Sequence, residues 1–414
     1  MRTCRYSSFI ATVLFSLSTL MVIHLAYARI AKAQARITYQ SGHSATAIPF
    51  DSDFGLIFVR TTVNESDTLW FVLDTGFDVS LINAERVPAL GLEISERQTI
   101  AQPGGEIEIG TVSEVELGLQ GLEIAGQRLQ AVPLTQLQPI VGRAFDGLLG
   151  HDVLERFVVV IDYERKQLGF YDPRTYEYSG SGQSVPVSIE GAEPFVEGAI
   201  LRSNGEKVVG KFKIDTGSID ALGLNRNFLE DNRLLEPSQE TLPVPGIAVG
   251  GETSGLLFRV PGFWLGRFLI RDPVIGATLE SQGFERRPDA GTIGGEILSR
   301  FTVILDYQRQ RIILEPNGRY EAPPASDMSG MWLVAEAPDF TTIKVRFVTE
   351  GSPAADAGIQ AGDVLVAVDG QTSASIGLAR LWQVFRASEG REHRLSLLRG
   401  TQELEVTITL RPLL

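Results

Sequence analysis

The chain has 414 residues, with 51 acidic and 37 basic side chains and a formal net charge of −14 at pH 7. Hydrophobic residues make up 43% of it and charged residues 21%, a composition that excludes disorder of the whole chain. The length is enough for roughly two to four domains. The acidic balance argues against nucleic acid as a general partner, because phosphates bind to basic surfaces.

Cysteine and histidine are too scarce for several catalytic classes. Cys4 is the one cysteine, so the rest of the chain has no disulfide, no thiolate metal site and no cysteine nucleophile. The 4 histidines occur without the His-Glu-x-x-His pattern of zinc hydrolases or the Gly-x-Ser-x-Gly turn of serine hydrolases. We therefore expect neither a metal ion nor a cofactor, and a hydrolase of this composition has to work with carboxylates.

The segment 1–35 predicts export. Arg2 and Arg5 precede an apolar stretch over 9–28, and small residues at Ala33 and Ala35 form a cleavage pattern. We expect an exported protein, periplasmic or otherwise extracytoplasmic, that is cleaved after Ala35. An uncleaved anchor is the alternative, because about 20 apolar residues can span a bilayer. This segment is also the one predicted contact with a membrane.

Two segments of the chain resemble each other. An apolar strand runs into Asp-Thr-Gly at Asp74 and again at Asp215, 141 residues later. An apolar pair followed by glycine ends at Gly150 and, as Thr-Ile-Gly, at Gly294, 144 residues later. The shared order and the similar offsets predict a tandem duplication.

Each repeat also predicts a hairpin between these landmarks. The segments 98–110 and 245–257 have the strand–glycine–strand pattern of hairpins. Their tips carry the glycine pairs Gly104-Gly105 and Gly250-Gly251. Helical patterns are sparse in both repeats, so we expect a mainly β fold.

The paired Asp-Thr-Gly motifs resemble the retropepsin and pepsin class of aspartic proteases. The apolar-apolar-glycine element of that class is also present twice, at 148–150 and 292–294. The resemblance covers about 40–318. It implies a bilobal enzyme with one retropepsin-like β-barrel lobe over 36–178, a second over 179–318, and a catalytic pair built within one molecule.

Asp74 and Asp215 are the predicted catalytic pair. Hydrolysis of a peptide bond without a metal or a covalent nucleophile needs a base for the water and an acid for the carbonyl oxygen. Two aspartates about 3 Å apart share one proton, because both cannot easily ionise. The pair titrates as a unit, so neither aspartate receives a separate role at this stage. The supporting residues implied by the resemblance are Thr75, Gly76, Thr216, Gly217 and Ser218.

Phe77 departs from the pepsin-like pattern, which has serine or threonine after the motif. Ser218 keeps the hydroxyl in the second repeat. A large ring would narrow the cleft, so we predict that Phe77 lines the substrate pocket and restricts specificity; a place in the core is the alternative. The predicted pocket is completed by the hairpin glycines, as tips of two unequal flaps. These are Gly104, Gly105, Gly250 and Gly251.

The pattern changes after a proline-containing linker over 319–327. Gly-Ser-Pro-Ala-Ala over 351–355 precedes Gly-Asp and an apolar strand, which resembles the PDZ domains of exported bacterial proteases. We expect a PDZ domain over 328–414. The resemblance implies that a peptide or C-terminal ligand adds to a sheet edge, contacting Ser329, Gly330, Met331 and Trp332. The alternative is that Met331 and Trp332 belong to the core.

Together these patterns predict an exported aspartic endopeptidase that hydrolyses polypeptides. The linker predicts that the PDZ domain folds separately and recruits or selects the polypeptide. Two alternatives stay open. One is a cleft that binds peptides with little or no turnover, and the other is a scaffold that acts through the PDZ domain.

Overall fold

The computed structural model of this protein describes residues 35–102, 105–236, 239–248, 251–278, 288–324 and 326–414. The predicted export segment, apart from Ala35, lies outside these ranges, as do Gly104 and Gly250. The described chain is mainly β, as the sequence predicts. No helix within the described ranges is long and apolar enough to span a membrane.

The first lobe is built from strands joined by tight turns. Its strands are β1 (Arg36–Tyr39), β2 (Ser44–Asp53), β3 (Leu56–Val63), β4 (Leu69–Leu73), β5 (Leu81–Asn83), β6 (Ser95–Gln102), β7 (Gly105–Leu119), β8 (Leu122–Val132), β9 (Gly147–Leu149), β10 (Val158–Asp162) and β11 (Gln167–Tyr171). Its helices are α1 (Gln138–Val141), α2 (His151–Leu154) and two 3-10 turns, Pro88–Leu90 and Thr135–Leu137. The strand β4 is apolar and largely buried because it lies between β3 and β9.

The second lobe repeats much of this arrangement. Its strands are β12 (Gln183–Pro186), β13 (Ser188–Glu190), β14 (Glu193–Leu201), β15 (Lys207–Ile214), β16 (Leu222–Leu224), β17 (Leu242–Ala248), β18 (Gly251–Arg259), β19 (Gly262–Leu265), β20 (Phe268–Arg271), β21 (Val274–Thr278), β22 (Gly291–Ile293), β23 (Phe301–Asp306) and β24 (Arg311–Pro316). Its helices are α3 (Arg226–Asp231) and α4 (Gly295–Leu298). β15 pairs in parallel with β22, as β4 does with β9.

A shared sheet joins the two lobes. β10 of the first lobe pairs with β23 of the second, with Ile161 opposite Val303. β11 and β2 extend this sheet on one side, and β24 and β12 extend it on the other. One apolar core runs through both lobes, so they form a single packed unit around the ends of β4 and β15.

The C-terminal region forms its own sheet and its own apolar core. Its strands are β25 (Met331–Ala335), β26 (Ile343–Val348), β27 (Val364–Val368), β28 (Gln371–Thr372), β29 (Glu392–Arg399) and β30 (Gln402–Thr409). Its helices are α5 (Pro353–Asp356), α6 (Ser373–Ile376) and α7 (Leu378–Val384). β25 stands at one edge of this sheet, where it pairs with β26.

The C-terminal region also contacts both lobes. The rings of Phe54, from the β2–β3 turn, and Trp382, on α7, meet edge to face with centroids 5.2 Å apart. On the second lobe, Arg259 donates to the terminal carbonyl oxygen of Leu414 at 3.4 Å and to the hydroxyl of Ser326 at 2.9 Å. The C-terminal region therefore has a core of its own, but it is docked on the lobes and not only tethered to them.

Candidate functional site

Asp74 and Asp215 lie at equivalent points, immediately after β4 and β15. The Asp74 amide donates to the Leu149 carbonyl at 2.9 Å, and the Asp215 amide donates to the Ile293 carbonyl at 3.0 Å. These bonds continue the parallel pairing of β4 with β9 and of β15 with β22. Both aspartates are fully buried, at the place where the two lobes meet.

The threonines of the two motifs lock these loops together. The amide of Thr75 donates to the Thr216 hydroxyl at 3.1 Å, and the amide of Thr216 donates to the Thr75 hydroxyl at 3.1 Å. Each hydroxyl then donates across the interface, from Thr75 to the Ile214 carbonyl and from Thr216 to the Leu73 carbonyl, both at 2.7 Å. Four reciprocal hydrogen bonds in a buried site fix the relative position of the two strand ends.

The motif glycines bring the backbone against the carboxylates. The Gly76 amide donates to Asp74 Oδ1 and the Gly217 amide donates to Asp215 Oδ1, each at 2.9 Å. A Cβ at position 217 would lie 2.1 Å from Asp74 Oδ2, so only glycine fits there. The two carboxylates can therefore approach each other across the lobe interface.

The electrostatics of the pair favour one retained proton. Burial raises the pKa of Asp74 well above its usual range, and the neighbouring Asp215 charge raises it further. The Gly76 amide and the Lys213 ammonium act in the opposite direction on this pKa. A carboxylic acid and a carboxylate held side by side can donate one proton and accept another in the same step.

A third carboxylate, the partly buried Asp152, supports the loop of the first motif through Ser80. Asp152 Oδ1 accepts from the Ser80 amide at 2.8 Å and from the Ser80 hydroxyl at 2.7 Å, and the Gly150 amide donates to that hydroxyl at 3.0 Å. Burial raises the pKa of Asp152 to about 6. This role was not predicted from the sequence, although an acidic residue stands two positions after the glycine in both repeats. These residues are Asp152 after Gly150 and Glu296 after Gly294.

Phe77 is 6% exposed and packs in an apolar cluster of the first lobe. That cluster includes Val72 on β4 as well as Ile107 and Ile109 on β7. Phe77 thus shares a buried cluster with the strand that precedes Asp74 and with the predicted flap hairpin. Ser218, at the equivalent position of the second motif, is also buried, and its carbonyl accepts from the Gly295 amide at 2.7 Å.

Replacing Phe77 by alanine is expected to lower the free energy of unfolding by about 3–5 kcal/mol, because it removes a buried ring. The protein that remains folded should cleave peptides with larger side chains near the scissile bond if the ring also borders the cleft. Denaturant unfolding and cleavage of a peptide library measure the two effects, and Phe77→Leu is the milder control. A stability loss with an unchanged cleavage profile would assign Phe77 to the core alone.

The two glycine hairpins are present as antiparallel pairs of unequal length. β6 pairs with β7 up to Gln102 opposite Gly105, and β17 pairs with β18 up to Ala248 opposite Gly251. β7 has 15 residues and β18 has 9. Gly105 and Gly251 therefore begin the returning strands of the two hairpins.

The predicted PDZ contact loop is largely bonded within the chain. Asp327 Oδ2 accepts from the Gly330 amide at 2.6 Å, and the Ser329 hydroxyl accepts from the Met331 amide at 3.0 Å. Ser329 is fully buried, and Met331 belongs to the C-terminal core. For Met331 the structure therefore agrees with the alternative of a core position. The Asp327 carboxylate thus accepts from the Gly330 amide, which belongs to the loop expected to bind the C-terminal carboxylate of a ligand.

Trp332, by contrast, lines a groove between β25 and α7, and residues of both lobes form the rest of its lining. The groove is lined by Trp332 and Trp382 from the C-terminal region and by Phe54, Ile140 and Ile219 from the two lobes. Ile219 directly follows Ser218 of the second motif. The groove and the aspartate pair therefore share one short segment of chain.

Arg386, in the C-terminal region, places its guanidinium near Ile219 and Asp220 of the second lobe. Burial lowers the pKa of Arg386 to about 10, against the opposing effects of Asp327, Glu296 and Asp220. Burial raises the pKa of Asp220 to about 7; Arg386 lowers it and Asp215 raises it. Arg386, Asp220 and Lys213 were not predicted from the sequence. Arg386 approaches Asp220, and Glu193 approaches Lys213, from other segments of the chain. The contact of Lys213 with Asp215 is local, and strand alternation could have indicated it.

Comparison with known proteins gives two family matches. Residues 59–153 match the family model of aspartyl proteases, and residues 344–399 match a model of the PDZ domain. Both resemblances expected from the motifs are thereby confirmed. None of the curated proteins matches the chain. A solved structure of an aspartic proteinase from Irpex lacteus is similar at 12% identity and a TM-score of 0.45, over 67% of this chain and 99% of that one.

Proposed function

We propose that this chain, which carries an aspartyl protease domain and a PDZ domain, is an endopeptidase that uses Asp74 and Asp215 as one acid–base unit. The observation that carries the proposal is the two-fold arrangement of the motifs. Both aspartates, both motif glycines and all four threonine hydrogen bonds are in place. A cleft kept for binding alone would not require both carboxylates.

The reaction follows from the shared proton. The carboxylate of the pair removes a proton from a water molecule as the water oxygen attacks the peptide carbonyl carbon. The protonated partner gives its proton to the carbonyl oxygen, which yields a neutral tetrahedral diol. As the diol collapses and the C–N bond breaks, the ionised aspartate takes a proton from one diol hydroxyl and the protonated aspartate gives its proton to the leaving amine nitrogen.

The PDZ domain is proposed to hold polypeptide beside the cleft. β25 is an edge strand, and the groove next to it, which α1 of the first lobe borders, is apolar on the PDZ side and on the lobe side. An extended segment can add to such an edge through backbone hydrogen bonds. Because Asp327 already occupies the Gly330 amide, we infer that the domain selects internal segments and not free C-termini.

Export is part of the same proposal. The charged and apolar pattern over 1–35 supports a periplasmic or other extracytoplasmic place of action, after cleavage or on an anchor. Substrates would then be exported or cell-envelope polypeptides. Fractionation of cells that express the full chain tests this part independently of catalysis.

Hydrolysis is tested with the purified 36–414 protein and a peptide library at pH values from 3 to 8. We expect cleavage inside the peptides that resists both a metal chelator and a serine-directed reagent. Peptides that bind at every pH without being cut would favour the alternative of a binding cleft. Inhibition by the chelator would contradict the carboxylate mechanism directly.

A further inference from the structure

Lys213 is a buried lysine close to the aspartate pair. It stands two residues before Asp215 on β15 and is only 2% exposed. Alternate residues of a strand share a face, so the Lys213 side chain lies on the same side of β15 as the carboxylate. Val72, which is fully buried, occupies the equivalent position of the first motif, so the charge breaks the two-fold symmetry of the site.

The Lys213 ammonium has two carboxylates around it. Its Nζ lies 3.0 Å from Glu193 Oε1 and 3.8 Å from Asp215 Oδ2. Glu193 begins β14, the neighbouring antiparallel strand, and is itself largely buried. A buried charge is costly unless it is paired, so this triad indicates a lysine that is held in place.

Charged and ionisable groups other than Lys213 also act on the pair. Asp220 interacts with Asp215, and Arg386 interacts with Asp220 from the far side. On the first-lobe side, the Tyr307 hydroxyl is influenced by the charges of Asp74 and Glu155. The Lys213 ammonium lies 3.8 Å from Asp215 Oδ2, and its charge also lowers the pKa of Asp74.

We propose that Lys213 is a positioning residue for the pair, which stabilises its singly protonated form and places the negative charge on Asp215 and the proton on Asp74. This inference rests on the proposed function. It makes Asp215 the base that receives the proton from water and Asp74 the acid that protonates the carbonyl oxygen.

The test compares pH–rate profiles of full-length variants. Removing a cation disfavours the anionic pair, so Lys213→Met should move both limbs of the kcat/KM profile to higher pH, by about 1–3 pH units. Lys213→Arg keeps the charge and should keep the limbs near their original positions. Lys211→Met is the matched control, since it removes another lysine of β15, whose ion-pair partner is Glu190 on β13.

A purely structural role would lower the rate of Lys213→Met without moving the limbs, and that result would overturn the proposal. Lys213→Val, the residue of the first motif, provides a second variant if the methionine form does not fold. The pH dependence of binding is the second readout, with a peptide whose scissile carbonyl is replaced by a hydroxyl. A wild-type protein that neither cleaves peptides nor binds this analogue contradicts the proposed function instead.

Discussion

Replacing either Asp74 or Asp215 by asparagine is expected to abolish peptide hydrolysis, with a loss of about 10²–10⁴-fold or more in kcat/KM. A carboxamide can neither accept the proton of water nor donate one to the carbonyl oxygen. Because the two groups act as one unit, the double variant should be no worse than either single variant. Peptide cleavage at the optimal pH of the wild type measures all three.

The same substitutions should leave the fold intact. The asparagine carbonyl can still accept the Gly76 or Gly217 amide, which now reaches Oδ1 at 2.9 Å. Burial raises the pKa of Asp74, so ionising that carboxyl at high pH weakens the folded state, and Asp74→Asn removes this effect. Asp162→Asn, at the end of β10, is the control that should keep full activity. Substantial turnover in either single variant would refute the shared pair.

The local part of the site could be predicted from sequence, since each motif specifies its own geometry. A buried strand that ends in Asp-Thr-Gly positions the carboxylate, and the glycine amide returns to it two residues later. Two such motifs at a fixed offset predict that the strand ends meet. Thr75 and Thr216, which the resemblance placed at the interface, lie there and bond reciprocally.

The long-range electrostatics could not be predicted in the same way. Lys213 is one of three lysines on β15, and the sequence does not distinguish it from the other two until β14 brings Glu193 beside it. Arg386 and Asp220 are far apart in sequence and meet only when the C-terminal region docks on the second lobe.

Docking of the PDZ domain also changes the division of labour that the linker predicts. From the linker alone, a truncated protein over 36–320 is expected to cleave short peptides at nearly the full rate. Its activity should fall only toward long polypeptides. In the structure, however, Phe54 and Ile219 pack against the C-terminal region, and Arg386 interacts with Asp220 beside the pair. Removing the domain would expose these apolar side chains and take away that cation.

We therefore expect the 36–320 protein to lose about ten- to a hundredfold in activity toward short peptides as well, because small displacements of reacting groups are costly. In the full chain, Trp382→Ala should produce part of this loss by removing the contact with Phe54, whereas Val366→Ala, at a side chain 44% exposed, should not. Amidating the C-terminus of a long substrate should leave its cleavage unchanged, because Asp327 already holds the Gly330 amide. The PDZ domain acts only as a tether if the folded 36–320 protein keeps the full rate on short peptides and loses activity only on long ones. The contacts with Phe54 and Ile219 would then have no catalytic consequence.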